Sequence, residues 1–327
     1  MKKIVIIGGG TGTFTLLAGL RKMPSDNTVI VSPADDGGST GVLRRELGVM
    51  PVGDIRQCLV GLSYTDAPLR DLFSYRFAAG SLAGHTVGNI ILAAAEKTTG
   101  GIAEAIAVVG KMLNIRGAVM PASLKPGTLI ATYADGSRVA GEHLIDEPRR
   151  PKKARITGLA LRPALNANPR AIAAIRAADA IIFGPGDLFT SVLPNLLPRG
   201  MGAAIRASRA KKILITNIMT KHGQTDGFRA SDFVRVMNTY LPGSPAVDAV
   251  LINTKKPAAS LLAAYRKTGA AYVEPDISVL ESMGVAVSAA PLLSAETFTG
   301  AAGDRLHRSM LRHDSDKTAK MIWKLIS

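Results

Sequence analysis

Glycines at positions 8, 9, 10 and 12 follow an apolar run at residues 4–7, which is the composition of an anion-binding loop. The run predicts a strand buried on both faces, and residues 13–20 have the apolar spacing of a helix. Free backbone N–H groups and the positive end of the helix dipole favour a phosphate at such a junction. We therefore expect the loop to bind a phosphate or nucleotide. The expected contacts are Gly9, Gly10, Thr11, Gly12 and Thr13.

This loop lacks the third glycine of the dinucleotide fingerprint. Counting from Gly8 places Thr13 where that glycine would stand, and counting from Gly10 places Thr15 there. A nicotinamide cofactor therefore does not follow from the loop alone. The alternative is a tight turn without a ligand, although a plain turn seldom needs four glycines.

A pair of acidic residues follows the second predicted strand, at residues 28–33. Asp35 and Asp36 lie near the tip of this strand, where an acidic side chain can hold a ribose hydroxyl. The same pair, Asp36 above all, is suited to hold Mg²⁺ beside a phosphate. A polar turn with an aspartate helix cap is the alternative without function.

Two further segments place polar side chains at predicted helix starts. Asp54 is the expected N-cap of a helix through residue 61, and Arg56 in its first turn is suited to bind a phosphate. His85 and Asn89 flank the start of a buried helix from residue 87, where we expect ligand contacts. Capping alone explains Thr86 between them.

Polar loops also follow two strands in the second half of the chain, predicted at residues 180–183 and 212–219. Ligands bind beyond the carboxyl ends of parallel strands, so these loops and the first two would converge on one crevice. The expected contacts in this half are Gly184, Gly186, Thr190, Ser191, Asn195, Asn217 and Asp226.

The alternation of strands and helices predicts an α/β fold with a doubly wound, mostly parallel sheet. An Asp-Gly pair at 135–136 between two strand-like runs predicts an antiparallel hairpin, inserted at about 117–145. A strand-like run also lies at 156–161. We find no internal repeat or linker and predict one domain, 1–327.

Composition restricts the class of protein. Of the 327 residues, 47% are hydrophobic, which is enough for a large core. Cys58 is the single cysteine, so no intrachain disulfide can form, and its apolar neighbours predict a buried structural thiol. The sequence has neither an apolar run long enough to span a membrane nor a signal-peptide core. We expect a cytoplasmic protein.

The net charge is +15, and residues 149–155 form the densest basic patch. Few aromatic residues and no zinc-finger or RNA-recognition spacing accompany this patch, so nucleic acid is not the expected partner. A basic protein also attracts phosphorylated small molecules.

Taken together, these loops resemble the YvcK-type gluconeogenesis factor family of the CofD-like superfamily. The resemblance rests on residues 8–12, 34–39, 53–56, 84–89, 184–191 and 225–227 in this order, and it spans residues 4–314. Asp187 and Lys221 depart from the family pattern, as do Gln57 and Thr86.

The resemblance implies a Rossmann-like fold, a cytoplasmic location and a nucleotide-type ligand. The leading candidate is a UDP-sugar such as UDP-N-acetylglucosamine, with an NAD-like nucleotide as the alternative. Tyr265 and Arg312 match family positions, where they would stack on the base or ribose and hold the pyrophosphate.

The resemblance also implies a role in cell shape and envelope synthesis during growth on gluconeogenic carbon sources, for which we expect envelope-synthesis proteins as partners. The related CofD enzymes instead transfer a phospholactyl group from a nucleotide-activated donor to a deazaflavin. Sequence alone does not separate a binder from a Mg²⁺-dependent transferase, and it leaves assembly into a homo-oligomer open.

Overall fold

A computed structural model of the protein describes residues 1–148, 154–241, 245–298 and 309–327. Its described strands form a seven-stranded sheet and a small three-stranded sheet. The strands are β1 Lys2–Ile7, β2 Ser25–Val31, β3 Ala118–Pro121, β4 Thr128–Tyr133, β5 Arg138–Ala140, β6 Ile156–Arg162, β7 Ala180–Phe183, β8 Lys211–Ile215, β9 Ala249–Asn253 and β10 Ala286–Ala290.

Helices cover both faces of the large sheet. A π-helical turn, Leu188–Val192, and a 3-10 turn, Leu193–Leu196, follow β7. The α-helices are α1 Gly10–Leu20, α2 Gly38–Leu47, α3 Gly53–Leu62, α4 Ala67–Ser74, α5 Val87–Thr99, α6 Ile102–Met112, α7 Glu142–Asp146, α8 Pro169–Ala177, α9 Met201–Ala207, α10 Ala230–Tyr240, α11 Ala259–Lys267, α12 Ile277–Ser282 and α13 Ser315–Ile326.

The large sheet has the strand order β10-β9-β8-β7-β1-β2-β3, and every neighbouring pair is parallel. The central strand β1 pairs with β2 on one side and with β7 on the other. The strand order therefore reverses between β1 and β7, and a crevice opens at such a switch point. The prediction of a Rossmann-like, doubly wound fold is confirmed.

The core lies on both faces of this sheet because strand side chains alternate in direction. Ile4 and Ile6 belong to one buried cluster, with helices α1, α3, α5 and α13. Val5 and Ile7 belong to a second cluster, with α8 to α10 and the small sheet. Burial on both faces explains the unbroken apolar run at 4–7.

The small sheet has the order β5-β4-β6 and is antiparallel. The predicted hairpin around 135–136 is confirmed as β4 and β5. The bounds of the excursion differ from the predicted 117–145, because β3 is the edge strand of the large sheet and β6 is the third strand of the small one. The helix α7 directly follows β5.

Local predictions failed where tertiary contacts decided the boundaries. Asp54 is not the N-cap of α3; the N-cap is Val52, and Asp54 lies in the first helical turn. The strand predicted at 212–219 ends at Ile215, so Asn217 lies beyond it. The helices α10 and α12 and the strand β10 were not predicted.

The expectation of a buried thiol is confirmed. Cys58 is fully buried, and burial raises the pKa of its thiol well above its usual value. In the described part of the chain, no helix combines the length and apolarity needed to cross a membrane.

Candidate functional site

A cavity of about 830 Å³ lies beyond the carboxyl ends of β1, β2, β7 and β8. Loops from both halves of the sheet line it, as expected for a switch point. The predicted site residues that line it are Gly9, Gly10, Thr11, Gly12, Asp35, Asp54, Arg56, Asn89, Gly186, Thr190, Ser191, Asn217, Tyr265 and Arg312.

The glycine loop is held against its neighbours by contacts that leave no room for side chains. A Cβ at Gly9 would stand 1.9 Å from Asp54 Oδ2, and one at Gly12 would stand 2.4 Å from the Pro185 carbonyl oxygen. Gly10, the first residue of α1, has φ +68°, which favours glycine. These contacts bring the N-terminus of α1 to the cavity.

Arg56 is held on the cavity wall by a chain of buried hydrogen bonds. Its Nε donates to Asn89 Oδ1 at 3.0 Å, and Asn89 Nδ2 donates to Ser39 Oγ at 3.1 Å. Ser39 Oγ lies 3.0 Å from His85 Nδ1. The chain therefore joins α3, α5 and α2 with the loop before α5.

Carboxylates from three segments face the same cavity. Asp35 and Asp54 lie near the glycine loop, and α7 brings Glu142 and Asp146 from the small sheet. Burial raises the pKa of Glu142 well above its usual value, and the charges of Asp35 and Asp146 raise it further. Sequence analysis missed the α7 residues because no local pattern reveals that the excursion folds back over the sheet.

Lys221 pairs with two of the carboxylates at one end of the cavity. Its Nζ lies 3.0 Å from Asp146 Oδ2 and 3.4 Å from Asp187 Oδ2. Burial raises the pKa of Asp187 to about 6, against the opposing charge of Lys221. Burial lowers the pKa of Lys221, but its two carboxylate partners outweigh this effect and the net pKa is raised.

Lys221→Met is expected to destabilise the protein at pH 8 by about 1–3 kcal/mol, since it leaves two carboxylates facing each other without the cation. The loss should shrink at pH 5, because Asp187 is protonated below its pKa of about 6. Urea denaturation of the wild type and Lys221→Met at pH 8 and pH 5 measures this loss of stability. The control is Lys22→Met, which removes an exposed pair with Asp316 and should cost less than about 1 kcal/mol. Equal losses in both variants would contradict the prediction.

Tyr265 and Arg312 form a further wall of the cavity, contributed by α11 and by the segment before α13. Tyr265 Oη lies 2.8 Å from Ser309 Oγ and accepts a hydrogen bond from the Leu311 backbone at 3.0 Å. The Arg312 guanidinium stacks 3.8 Å above the Phe298 ring. An apolar cluster that includes Ile218 and Met219 packs against Tyr265. This wall combines an aromatic ring, apolar surface and a cation.

His313, next to Arg312, is buried, and sequence analysis did not select it. Burial lowers the pKa of its imidazole to about 4, although a hydrogen bond with the Thr216 backbone opposes the shift. The unfolded chain, with an ordinary histidine pKa near 6.5, therefore binds one proton more than the folded chain between about pH 4 and 6.5.

This difference predicts an acid-sensitive stability. The contribution of His313 to the free energy of unfolding is fully present above pH 6.5. It falls by about 3 kcal/mol as the pH drops to 4. His313→Gln should flatten the stability profile in this window, measured by urea denaturation from pH 7.5 to 4. Thr318→Val, at a buried side chain that does not titrate, is the control and should keep the wild-type slope. A profile of His313→Gln as steep as that of the wild type would contradict the assignment.

Six predicted residues do not line the cavity. Thr13 is buried beneath the glycine loop, and Gly184 lies between β7 and that loop. Asn195 Nδ2 donates to the Ser191 carbonyl at 2.9 Å, and Asp226 Oδ1 lies 2.9 Å from His222 Nδ1. His85 reaches the cavity only through Ser39.

Asp36, the sixth, does not face the cavity as a metal ligand would. Its Oδ1 accepts a hydrogen bond from the His143 backbone at 2.9 Å and lies 2.8 Å from His143 Nδ1. Across the four described ranges, no group of three or more His, Cys, Asp or Glu side chains is arranged to hold a metal ion. The basic patch lies outside the described residues except for Ala154 and Arg155, and Arg155 is exposed.

Comparisons with known proteins agree with this architecture. The family model of CofD, described as 2-phospho-L-lactate transferase, matches residues 4–293. The chain is 39% identical to the gluconeogenesis factor of Bacillus subtilis, over 99% of this chain and 98% of that protein. The chain is also 39% identical to the gluconeogenesis factor of Listeria monocytogenes, over 99% of this chain and 95% of that protein. A crystal structure of a UPF0052 family member from Bacillus halodurans matches 98% of both chains, with a TM-score of 0.90 and 38% identity.

Proposed function

The chain belongs to the CofD family, among the gluconeogenesis factors, and we propose that it is a regulatory protein that binds a nucleotide sugar without converting it. The favoured ligand is UDP-N-acetylglucosamine or a related UDP-sugar. The proposed role is control of cell shape and envelope synthesis in the cytoplasm during gluconeogenic growth.

One observation supports this ligand most directly: a single cavity of about 830 Å³ offers three chemically different surfaces. The Tyr265 wall suits a base or ribose, because an aromatic ring and aliphatic side chains stack on a planar heterocycle. The glycine loop and Arg56 suit a pyrophosphate. Hydroxyl, amide and carboxylate groups such as Ser191, Asn217 and Asp146 suit a sugar, which presents many hydroxyls. The volume lies in the usual range for ligand pockets, roughly 300–1,000 Å³.

The alternative is a transferase that moves a phospholactyl-type group from a nucleotide-activated donor. The match to the CofD family model and the carboxylates around the glycine loop favour it. Carboxylate and phosphate oxygens are the ligands that Mg²⁺ prefers. The described carboxylates do not by themselves form a metal site, so a metal would depend on the ligand's own phosphates.

A thermal-shift screen tests the proposed function, with UDP-N-acetylglucosamine, UDP-glucose, NAD and GTP as ligands. A UDP-sugar at about 100 times its dissociation constant adds about 2.7 kcal/mol of stability, which raises the melting temperature of a chain this long by roughly 4 °C. Tyr265→Ala should lose the shift, whereas Tyr75→Ala, at an exposed tyrosine, should keep it. A shift with GTP alone, or no shift, would contradict UDP-sugar binding.

A second measurement separates the binder from the transferase. We expect the UDP-sugar to be recovered intact by chromatography after long incubation with the protein and Mg²⁺. Release of a nucleoside phosphate that disappears in Asp54→Asn would instead support the transferase.

A further inference from the structure

Arg56 occupies an unfavourable position for a positive charge. It is only 8% exposed and lies in the first turn of α3, where the helix dipole opposes a cation. Burial of a charge is also costly unless an opposite charge or hydrogen bonds stabilise it. A cation in such a position on a cavity wall is typical of a site that receives an anion.

Asn89 fixes the direction of this cation without neutralising it. Its side-chain oxygen accepts from Arg56 Nε, which uses one of the five N–H donors of the guanidinium. The acceptor is a neutral amide, so this contact orients the positive charge and leaves its magnitude unchanged. The Arg56 stem packs over Gly88, where a Cβ would stand 2.8 Å from Arg56 Cδ, and this contact restricts the rotation of the side chain.

Asn89 is itself held from two sides. Its amide nitrogen donates to Ser39 Oγ on α2, and its backbone N–H donates to Thr86 Oγ1 at 3.3 Å. Only 3% of Asn89 is exposed, although it lines the cavity. Because Asn89 Oδ1 accepts from Arg56 and Asn89 Nδ2 donates to Ser39, the amide has one orientation available. It can therefore position Arg56 accurately.

The glycine loop needs such a cation nearby. The Asp54 carboxylate covers Gly9, and Asp35 and Glu142 also face this part of the cavity. Their negative charges act on one another, as the raised pKa of Glu142 indicates. A diphosphate at the loop would meet this repulsion, and a fixed arginine offsets it through charge-assisted hydrogen bonds.

From these contacts we infer that Asn89 is a positioning residue that holds Arg56 as the cation for the diphosphate group of the ligand. This inference rests on the proposed function, since it assigns one part of the nucleotide sugar to one wall of the cavity.

Calorimetric titration with inorganic pyrophosphate, uridine and UDP-glucose, in buffer containing EDTA, tests the inference. The wild type should bind pyrophosphate and UDP-glucose. Arg56→Ala and Asn89→Ala should each lower the affinities for pyrophosphate and for UDP-glucose by at least tenfold. The affinity for uridine should stay within twofold of the wild-type value. In an Arg56→Lys background, Asn89→Ala should add less than a further twofold loss, because lysine has no Nε–H for Asn89 to orient.

Asn168→Ala is the matched control, because it removes a buried asparagine that caps α8 and contacts neither Asn89 nor Arg56. It should lower the melting temperature and keep the pyrophosphate affinity. Equal losses of pyrophosphate affinity in Asn168→Ala and Asn89→Ala, additive losses in the Arg56→Lys background, or no pyrophosphate binding by the wild type would overturn the inference.

The two proposals fail in different ways. If pyrophosphate binds through Arg56 and Asn89 but UDP-glucose and UDP-N-acetylglucosamine do not bind, the anion subsite stands and the proposed function fails. If UDP-glucose binds with unchanged affinity in both alanine variants, the proposed function stands and the inference about Asn89 fails.

Discussion

Gly10→Val is expected to reduce the affinity for a UDP-sugar at least a hundredfold, about 2.7 kcal/mol, while the protein still folds. Gly10 lines the cavity at the start of α1. Among the described residues other than its chain neighbours and its own helix, only Asp54 Oδ1, at 3.6 Å, lies within 4 Å of the position of its Cβ. A valine there would therefore project into open space, where a phosphate would otherwise approach the backbone.

The control for this variant must reproduce its backbone strain. Gly10 has φ +68°, and Gly48 has φ +65°; beyond the chain next to Gly48, no atom of the described residues lies within 4 Å of its Cβ position. Valine at either position costs about 1–2 kcal/mol because L residues disfavour this conformation. Gly48→Val should thus lose similar stability and keep full affinity, measured by urea denaturation and calorimetric titration. Wild-type affinity in Gly10→Val would show that no ligand phosphate approaches this loop.

Gly12→Ala is expected to destabilise the fold itself, by about 1–3 kcal/mol. The new Cβ would stand 2.4 Å from the Pro185 carbonyl oxygen and 2.9 Å from its carbonyl carbon. These atoms belong to the backbone of the loop after β7, so no flexible side chain can move aside. Relief of the overlap would separate the loops that follow β1 and β7, and ligand affinity should fall with stability.

Gly158→Ala provides the comparison for Gly12→Ala. Gly158 lies in β6. Apart from its chain neighbours, no atom in the part of the chain that the structure describes lies within 4 Å of its Cβ position, so alanine should change the free energy of unfolding by less than about 1 kcal/mol. Urea denaturation of both variants measures the difference. A Gly12→Ala protein as stable as Gly158→Ala would mean that the two loops are not packed as described.

Together, these variants are expected to separate two roles of the glycine loop, ligand binding and packing. Gly10 faces the cavity, so its substitution should act on the ligand, whereas Gly12 faces Pro185, so its substitution should act on the fold. Three of the four glycines in this loop are therefore required for different physical reasons. The reason for Gly9 is steric: a Cβ there would stand 1.9 Å from Asp54 Oδ2, so only glycine leaves room for this carboxylate.

Most of the strands, and the loops after them, were predictable from sequence because their signals are local. An unbroken apolar run such as 4–7 indicates a strand buried on both faces, and an Asp-Gly pair indicates a hairpin. The start of α5 also followed from local chemistry, since Thr86 accepts from the Asn89 backbone as a cap does. The predicted boundaries were wrong where a residue contacts a segment distant in sequence, as the Asp54 carboxylate contacts Gly9.

Sequence by itself determined the strand-and-glycine-loop pattern, the doubly wound parallel sheet and the family. Fourteen of the twenty residues that it selected line the cavity, since polar loops after parallel strands meet at one edge of a sheet. Only the tertiary structure decided which of these side chains face the cavity. Asp36 and Asp226 turn to neighbouring histidines, and Asn195 turns to its own loop.

Only the tertiary structure, likewise, brought Glu142 and Asp146 to the site, and joined Arg56 to Asn89 across two helices. The physical reason is the same in each case. A local pattern fixes the backbone conformation of a segment, but the direction of a polar side chain depends on partners distant in sequence. Those partners meet only when the helices and the small sheet pack on the large one.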